Sequence, residues 1–125
     1  MVSLKRKKPA APQPPMRRLA APRVMTMPLT EVFEKRRTSR DFSDETVSDE
    51  DLAAVLWAAD GINRKDGRRT TPSAMNWQEI DLYVVKANGV WLWDAKNSAL
   101  VFVKDHDRRK DLCLWQPLVK NAPVH

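Results

Sequence analysis

Apolar positions recur at helical spacing in two early runs and then change to strict alternation, which divides the chain into helical and extended parts. Leu29, Val32 and Phe33 predict a first helix from Pro28 to about Arg37, with Pro28 in its first turn. Arg36 and Arg37 then fall in the last turn, where cations offset the helix dipole. Phe42 and Val47 are expected to pack the following loop back onto the body. The second run is better bounded. Ser48 caps it, Asp51 holds the capping-box position, and Asp49 and Glu50 suit the positive end. Leu52, Val55, Leu56 and Ala59 form its apolar stripe with Trp57 alongside, and Gly61 ends it. This helix reads as core and carries no assigned chemistry.

Beyond residue 79 the period becomes two. Ile80, Leu82 and Val84 alternate with Asp81, Tyr83 and Val85, and Val90 and Leu92 alternate with Trp91 and Trp93. Ala87-Asn88-Gly89 joins the two runs as a hairpin. Trp91 and Trp93 share a face. They are either a stacking platform for a ring or, more commonly, a cross-strand packing pair. A short third strand over 99–103 extends the meander. Asp105 to Asp111 opens a polar, helical segment running through Leu112, Leu114 and Trp115, and Ala122-Pro123-Val124 reads as the lead-in to another strand.

Charge changes the picture of the N-terminus. Residues 1–40 hold 11 Lys and Arg against 2 Asp and Glu, whereas residues 41–125 hold 11 against 14. The net charge of +6 is therefore a basic tail on a mildly acidic body, not a nucleic-acid footprint. Within residues 1–27, Lys5-Arg6-Lys7-Lys8 precedes a proline-rich spacer that has no means of packing a core. We read 1–27 as a solvated, disordered tail and 28–125 as the folded unit. A basic arm binding RNA, DNA or acidic lipid is the competing reading, and the absence of interleaved aromatics weighs against base stacking.

A hydrophobic share of 42% over 125 residues allows one small domain with a core. Cys113 is the only cysteine, which excludes an intrachain disulfide and favours a reducing, cytoplasmic setting. Flanked by leucines, it reads as a small buried hydrophobe. His106 and His125 have no spacing that suggests zinc, and no catalytic or metal residues are assigned. No apolar run reaches membrane-spanning length, and the basic start lacks the apolar region of a secretory signal.

Two polar clusters remain. Gly61 to Gln78 contains Arg68, Arg69, Thr70, Thr71 and Ser73, followed by Asn76 and Gln78, which is more hydrogen-bonding capacity than a turn requires. It reads as a polar wall for a flat, anionic ligand. The bland alternative is a loop whose arginines meet only water. Arg36-Arg37-Thr38-Ser39-Arg40 supplies a second anion-binding candidate.

In this order, and with the Ser-capped helix between them, the clusters resemble the flavin-dependent nitroreductase family. Arg36-Arg37-Thr38-Ser39-Arg40-Asp41-Phe42 is similar to the family's RRSxRxF opening, with Thr where Ser is usual. Val47 to Leu52 and Leu56 to Arg64 match the helix that follows, and Arg68 to Gln78 resembles the R-x-PSAxNxQ segment. The similarity runs from about Met27 to Val124, and it looks closest to the branch that includes thiazole/oxazole peptide dehydrogenases. The resemblance implies an α+β fold in which helices flank a mixed sheet. It also implies an intertwined homodimer binding FMN at the subunit interface, with NAD(P)H as reductant. Arg36, Arg37 and Arg40 would hold the FMN phosphate and ribityl chain, with Thr38 adding a hydroxyl; guanidinium forks suit phosphate oxygens. Pro72, Ser73, Ala74 and Asn76 would line the isoalloxazine from the partner subunit, and Asn76 or Gln78 would reach its polar edge. Family members continue well past this length, so the chain is expected to be C-terminally incomplete.

Two functions from different classes follow. One is an FMN-dependent NAD(P)H oxidoreductase, or its N-terminal part, reducing a nitro compound, a quinone or a related small acceptor. The other is a truncated, non-catalytic fragment acting as a partner-binding module. A basic-tailed adaptor for a polyanion ranks third, and no specific nucleic acid or membrane partner is expected.

Overall fold

The computed structural model describes residues 14–24, 26–113 and 115–125. Lys5–Lys8 and Leu114, named above, lie outside the described residues. The fold is α+β, as expected, and the best-buried part is where α2 (Asp49–Asp60) meets a four-stranded antiparallel sheet. The strands are β1 (Met16–Arg18), β2 (Tyr83–Lys86), β3 (Gly89–Asp94) and β4 (Ala99–Lys104), in the order β1-β4-β3-β2. Leu52, Ala53 and Leu56 of α2 form one core cluster with Val84, Trp93, Ala95, Leu100 and Leu19. Burying each leucine contributes about 1.5–3 kcal/mol.

The start of α2 follows its sequence signals. Ser48 Oγ accepts from the Asp51 backbone N–H at 3.1 Å and donates to Asp51 Oδ2 at 2.8 Å. Its buried face is rotated from the expected stripe: Ala53 and Asp60 are buried, whereas Val55 and Ala59 are exposed. The sheet meets one side of the Leu52–Leu56 ridge, and a spacing pattern alone does not reveal which side. Gly61 ends the helix for reasons of space rather than handedness. Its φ is −85°, and an added Cβ would lie 2.4 Å from Trp57 Cδ1 and 2.5 Å from Trp57 O.

The hairpin forms with a two-residue turn at Ala87 and Asn88, and Lys86 pairs with Gly89. Gly89 takes φ +131°, and a Cβ there would sit 2.4 Å from Lys104 O, so no other residue fits this approach. The tryptophans pack. Trp93 is buried in the core, and Trp91 meets its cross-strand partner Phe102 edge to face at 5.2 Å.

Three expectations need correction. Residues 16–18 form an edge strand on β4 with Met16 opposite Val101, so that part of the basic segment belongs to the fold. The segment is also tied by charge: Arg17 pairs with Asp49 at 2.6 Å, Arg23 with Asp51 at 3.0 Å, and both acids sit in the first turn of α2. Helix α1 is shorter than expected, covering Leu29–Lys35 with Pro28 as its N-cap, so Arg36 and Arg37 lie in the extended chain after it. Its apolar residues are not core: Leu29 and Phe33 are each 67% exposed. The predicted helix over 105–115 contracts to one turn, α3 (Arg109–Leu112), preceded by Asp107, whose carboxylate binds Arg109 instead of continuing a helix.

The lead-in at Ala122-Pro123-Val124 does reach the sheet. His125 exchanges two backbone hydrogen bonds with Val85, of 2.7 and 3.0 Å, beside β2. Among the described residues, no helix is long and apolar enough to cross a membrane, and no cluster of His, Cys, Asp and Glu could hold a metal ion.

Candidate functional site

The loop from Gly61 to Gln78 is tied down along most of its length. Its first half is a short hairpin in which Ile62 bridges Arg69 and Asn63 N–H bonds to Arg68 O at 3.2 Å. Gly67 turns it with φ +83°. Thr70 N–H then returns to Gly61 O at 2.9 Å, while the Thr70 hydroxyl bonds to Trp57 O and Trp57 Nε1 to Ile62 O, both at 3.3 Å. The C-terminal turn of α2 is thereby fastened to the loop.

Asp60 is the anchor beneath. It is 2% exposed, and it receives Arg69 Nη1 on one carboxylate oxygen and the Thr71 hydroxyl on the other. Burial of an unpaired carboxylate would be costly, and these two donors satisfy it. Arg69 Nε is buried without a partner among the described residues. Sequence reading missed Asp60 by treating α2 as core alone. The available signal was a carboxylate in the last turn of a helix, where the dipole disfavours it, directly before the terminating glycine.

The second half holds an unusual backbone. Met75, Asn76 and Gln78 all have left-handed φ, of 52°, 56° and 51°. Asn adopts this conformation readily, but Met and Gln do so at a cost of about 1–2 kcal/mol each. Ser73 restrains the segment, its Oγ accepting from Gln78 N–H at 2.8 Å and donating to Glu79 Oε2 at 2.7 Å. That hydroxyl holds the Glu79 carboxyl below the usual range. Gln78 Nε2 donates to Gly67 O at 3.2 Å and to Asn76 Oδ1 at 3.3 Å, so Gln78 braces the loop rather than projecting from it.

A cavity of 620 Å³ opens above this loop, lined by Arg64, Arg68, Arg69 and the run from Thr70 through Ser73, with Met75 and Asn76. Among the described residues no carboxylate lines it. Of the sequence-predicted site residues, Pro72, Ser73 and Asn76 are therefore together on one wall. Gln78 lies in an adjoining crevice beside Asp60, and Ala74, in the single helical turn between, lines neither. Arg36, Arg37, Thr38 and Arg40 are exposed in the extended chain after α1, and none of them lines this cavity. One chain thus does not bring the two predicted clusters together. Of the loop-back contacts expected at Phe42 and Val47, Val47 packs against the core, while Phe42 is exposed.

Cys113 is buried, as expected, but it has company. Its Sγ donates to Arg109 O at 3.1 Å and stands 3.7 Å from His125 Nε2.

A sequence profile of the Nitroreductase family matches residues 33–124, and the chain belongs to that family. The fold resembles the crystal structure of a "putative nitroreductase" from Ralstonia eutropha JMP134, with a TM-score of 0.78 and 30% identity. The match covers 94% of this chain and 59% of that one, so the chain spans little more than half the length of this relative. No curated protein matches the sequence.

Proposed function

We propose that the chain forms the FMN-binding part of an NAD(P)H-dependent oxidoreductase of the nitroreductase type, acting on a nitro compound, a quinone or a related small acceptor. The observation that carries this reading is the wall at Pro72, Ser73 and Asn76. It stands beside a carboxylate-free, arginine-rich cavity and is held in a left-handed backbone by Ser73 and Gln78. Strained backbone that the surroundings keep in place is concentrated at ligand sites, and 620 Å³ lies within the usual range for small-molecule pockets. The residues present fit a flavin. Asn76 Nδ2 has no partner among the described residues and stays available to a polar ring edge, while Pro72 offers little bulk on the cavity wall. Arg36, Arg37, Thr38 and Arg40, exposed and away from the cavity, would hold the phosphate and ribityl chain of a flavin shared with a second copy of the chain. Bound there, FMN would supply two-electron transfer from NAD(P)H to the acceptor. The protein's part is to position the ring and to hold the phosphate.

The exposed stripe of Leu29, Val32 and Phe33 suits burial against another chain. It also favours the second reading, a non-catalytic module that binds a partner. Visible absorbance during FMN titration, followed by size exclusion, separates the two. The first reading expects a yellow, stoichiometric complex that Arg36→Ala abolishes. Full flavin retention by Arg36→Ala would remove the phosphate assignment, and a wild-type chain that stays colourless would leave the second reading.

A further inference from the structure

The three arginines of the cavity differ in how they are held. Arg69 is fixed from below by buried Asp60, and its charge is matched there. Among the described residues the Arg68 guanidinium has only a solvent-exposed contact with Asp66, Nε to Oδ2 at 3.5 Å, and such pairs contribute little. Arg64 has no carboxylate partner among the described residues. The cavity wall therefore presents two weakly committed guanidinium groups and, among the described residues, no acid. The proposed FMN phosphate site lies in the other cluster, at Arg36, Arg37 and Arg40, and leaves this charge unused. Arg64 and Arg68 are also near each other in the chain, at the two sides of a hairpin that Gly67 closes and the Ile62–Arg69 bridge keeps in shape. A solvated loop does not need the bracing beneath it.

We infer that Arg64 and Arg68 form a subsite for an oxyanion, a carboxylate or phosphate group, carried by the small molecule that enters the cavity beside Pro72 and Asn76. The inference rests on the proposed oxidoreductase reading and adds the class of acceptor, an aromatic or quinonoid compound with an anionic substituent. Guanidinium forks bind such groups with charge-assisted hydrogen bonds. Arg69 serves as a fixed, charge-matched part of the wall rather than as a clamp, because Asp60 already takes its Nη1.

The test is calorimetric titration of the full chain with 4-nitrobenzoate, 4-nitrophenyl phosphate and neutral 4-nitrobenzyl alcohol, using wild type and the double variant Arg64→Gln/Arg68→Gln. FMN uptake is followed separately by absorbance. Wild type is expected to prefer at least one anionic probe over the alcohol by about ten-fold or more, the range of one charge-assisted hydrogen bond. In the double variant that preference falls to about two-fold or less as the charge is removed, while affinity for the alcohol and FMN uptake stay as in wild type. Dependence confined to the phosphate probe, or shared by the carboxylate, tells which oxyanion the subsite takes. Equal affinity for all three probes in wild type, no binding of either anion, or a preference that survives in the double variant overturns the inference. Loss of FMN from the double variant also overturns it, since the two arginines would then belong to the cofactor. A wild-type chain that takes up no FMN defeats the oxidoreductase reading, and the anion preference is then judged on the titration alone.

Discussion

Two stretches with three arginines each are prepared very differently. Arg36 to Arg40 follows a seven-residue helix whose apolar residues are exposed, and the whole stretch lies outside helix and strand and is open to solvent. Arg64 to Arg69 sits on a hairpin fastened to α2, with one of its arginines matched by a carboxylate that is 2% exposed. The first cluster must be ordered by whatever it binds, whereas much of the ordering of the second is done in the free chain. Ordering costs subtract from binding, so equal charge does not mean equal affinity. In the proposed site the loosely held cluster meets the flavin phosphate across a subunit boundary, and the fixed cluster shapes the pocket.

The largest expected effect tests whether the second cluster is anchored as described. Asp60→Ala leaves the Arg69 guanidinium without its partner, and loss of one member of a buried pair costs about 3–5 kcal/mol. Urea unfolding should show this, while Arg36→Ala stays within about 0.5 kcal/mol of wild type, as for other open surface positions. Replacing both partners together, Asp60→Leu with Arg69→Leu, should restore much of the loss. Equal stability of Asp60→Ala and Arg36→Ala would erase the distinction between the clusters.

A smaller effect sharpens it. Gly61→Ala forces a methyl against Trp57, with contacts of 2.4–2.7 Å, and overpacking of this kind costs about 1–3 kcal/mol. The damage falls where the loop is fastened, so anion binding in the cavity should weaken with it. Gly67→Ala meets no atom within 4 Å but must hold φ +83°, a backbone cost of about 1–2 kcal/mol. If Gly61→Ala proved the milder of the two, the close packing of loop on helix would be wrong.

Much of this was legible in the sequence for reasons that are local. The Ser48 cap, the stop at Gly61 and the turn before Gly89 depend on neighbours within a few residues, and they appeared where expected, whereas Val84 and Val85 do not alternate but are both buried. What escaped was decided by contacts distant in sequence. Residues 16–18 look like tail composition and become a strand only because β4 offers an edge. Val55 belongs to a helical stripe yet faces solvent, because the sheet lies on the Ala53 side. For the site, the Pro72–Asn76 wall was visible as a motif, but Asp60 was hidden by its place in a core helix. No local pattern shows that the Arg36–Arg40 segment lines no part of that cavity; only the fold does so.

Arg109 offers the last and smallest contrast, since it too is matched by a carboxylate, but at the surface. Asp107 receives its Nη2 at 2.8 Å and its Nε at 3.0 Å, and Arg109 Nη1 reaches on to Pro123 O at 3.3 Å, next to the segment that pairs with β2. The Arg109 side-chain hydrogen bonds, helped by its backbone N–H, depress the Asp107 carboxyl to about 2. A depressed acid stabilises the fold fully above its unfolded value of 3.8, and the contribution disappears as pH falls from there through about 2. Asp107→Asn should therefore melt slightly below wild type at neutral pH, and the gap should close across that acid window. Solvent screening keeps the gap well below that of Asp60→Ala. A gap that persisted unchanged down to about pH 2 would mean that Asp107 acts through packing rather than charge. A gap as large as that of Asp60→Ala would mean that burial is not what distinguishes a fixed arginine from a loose one.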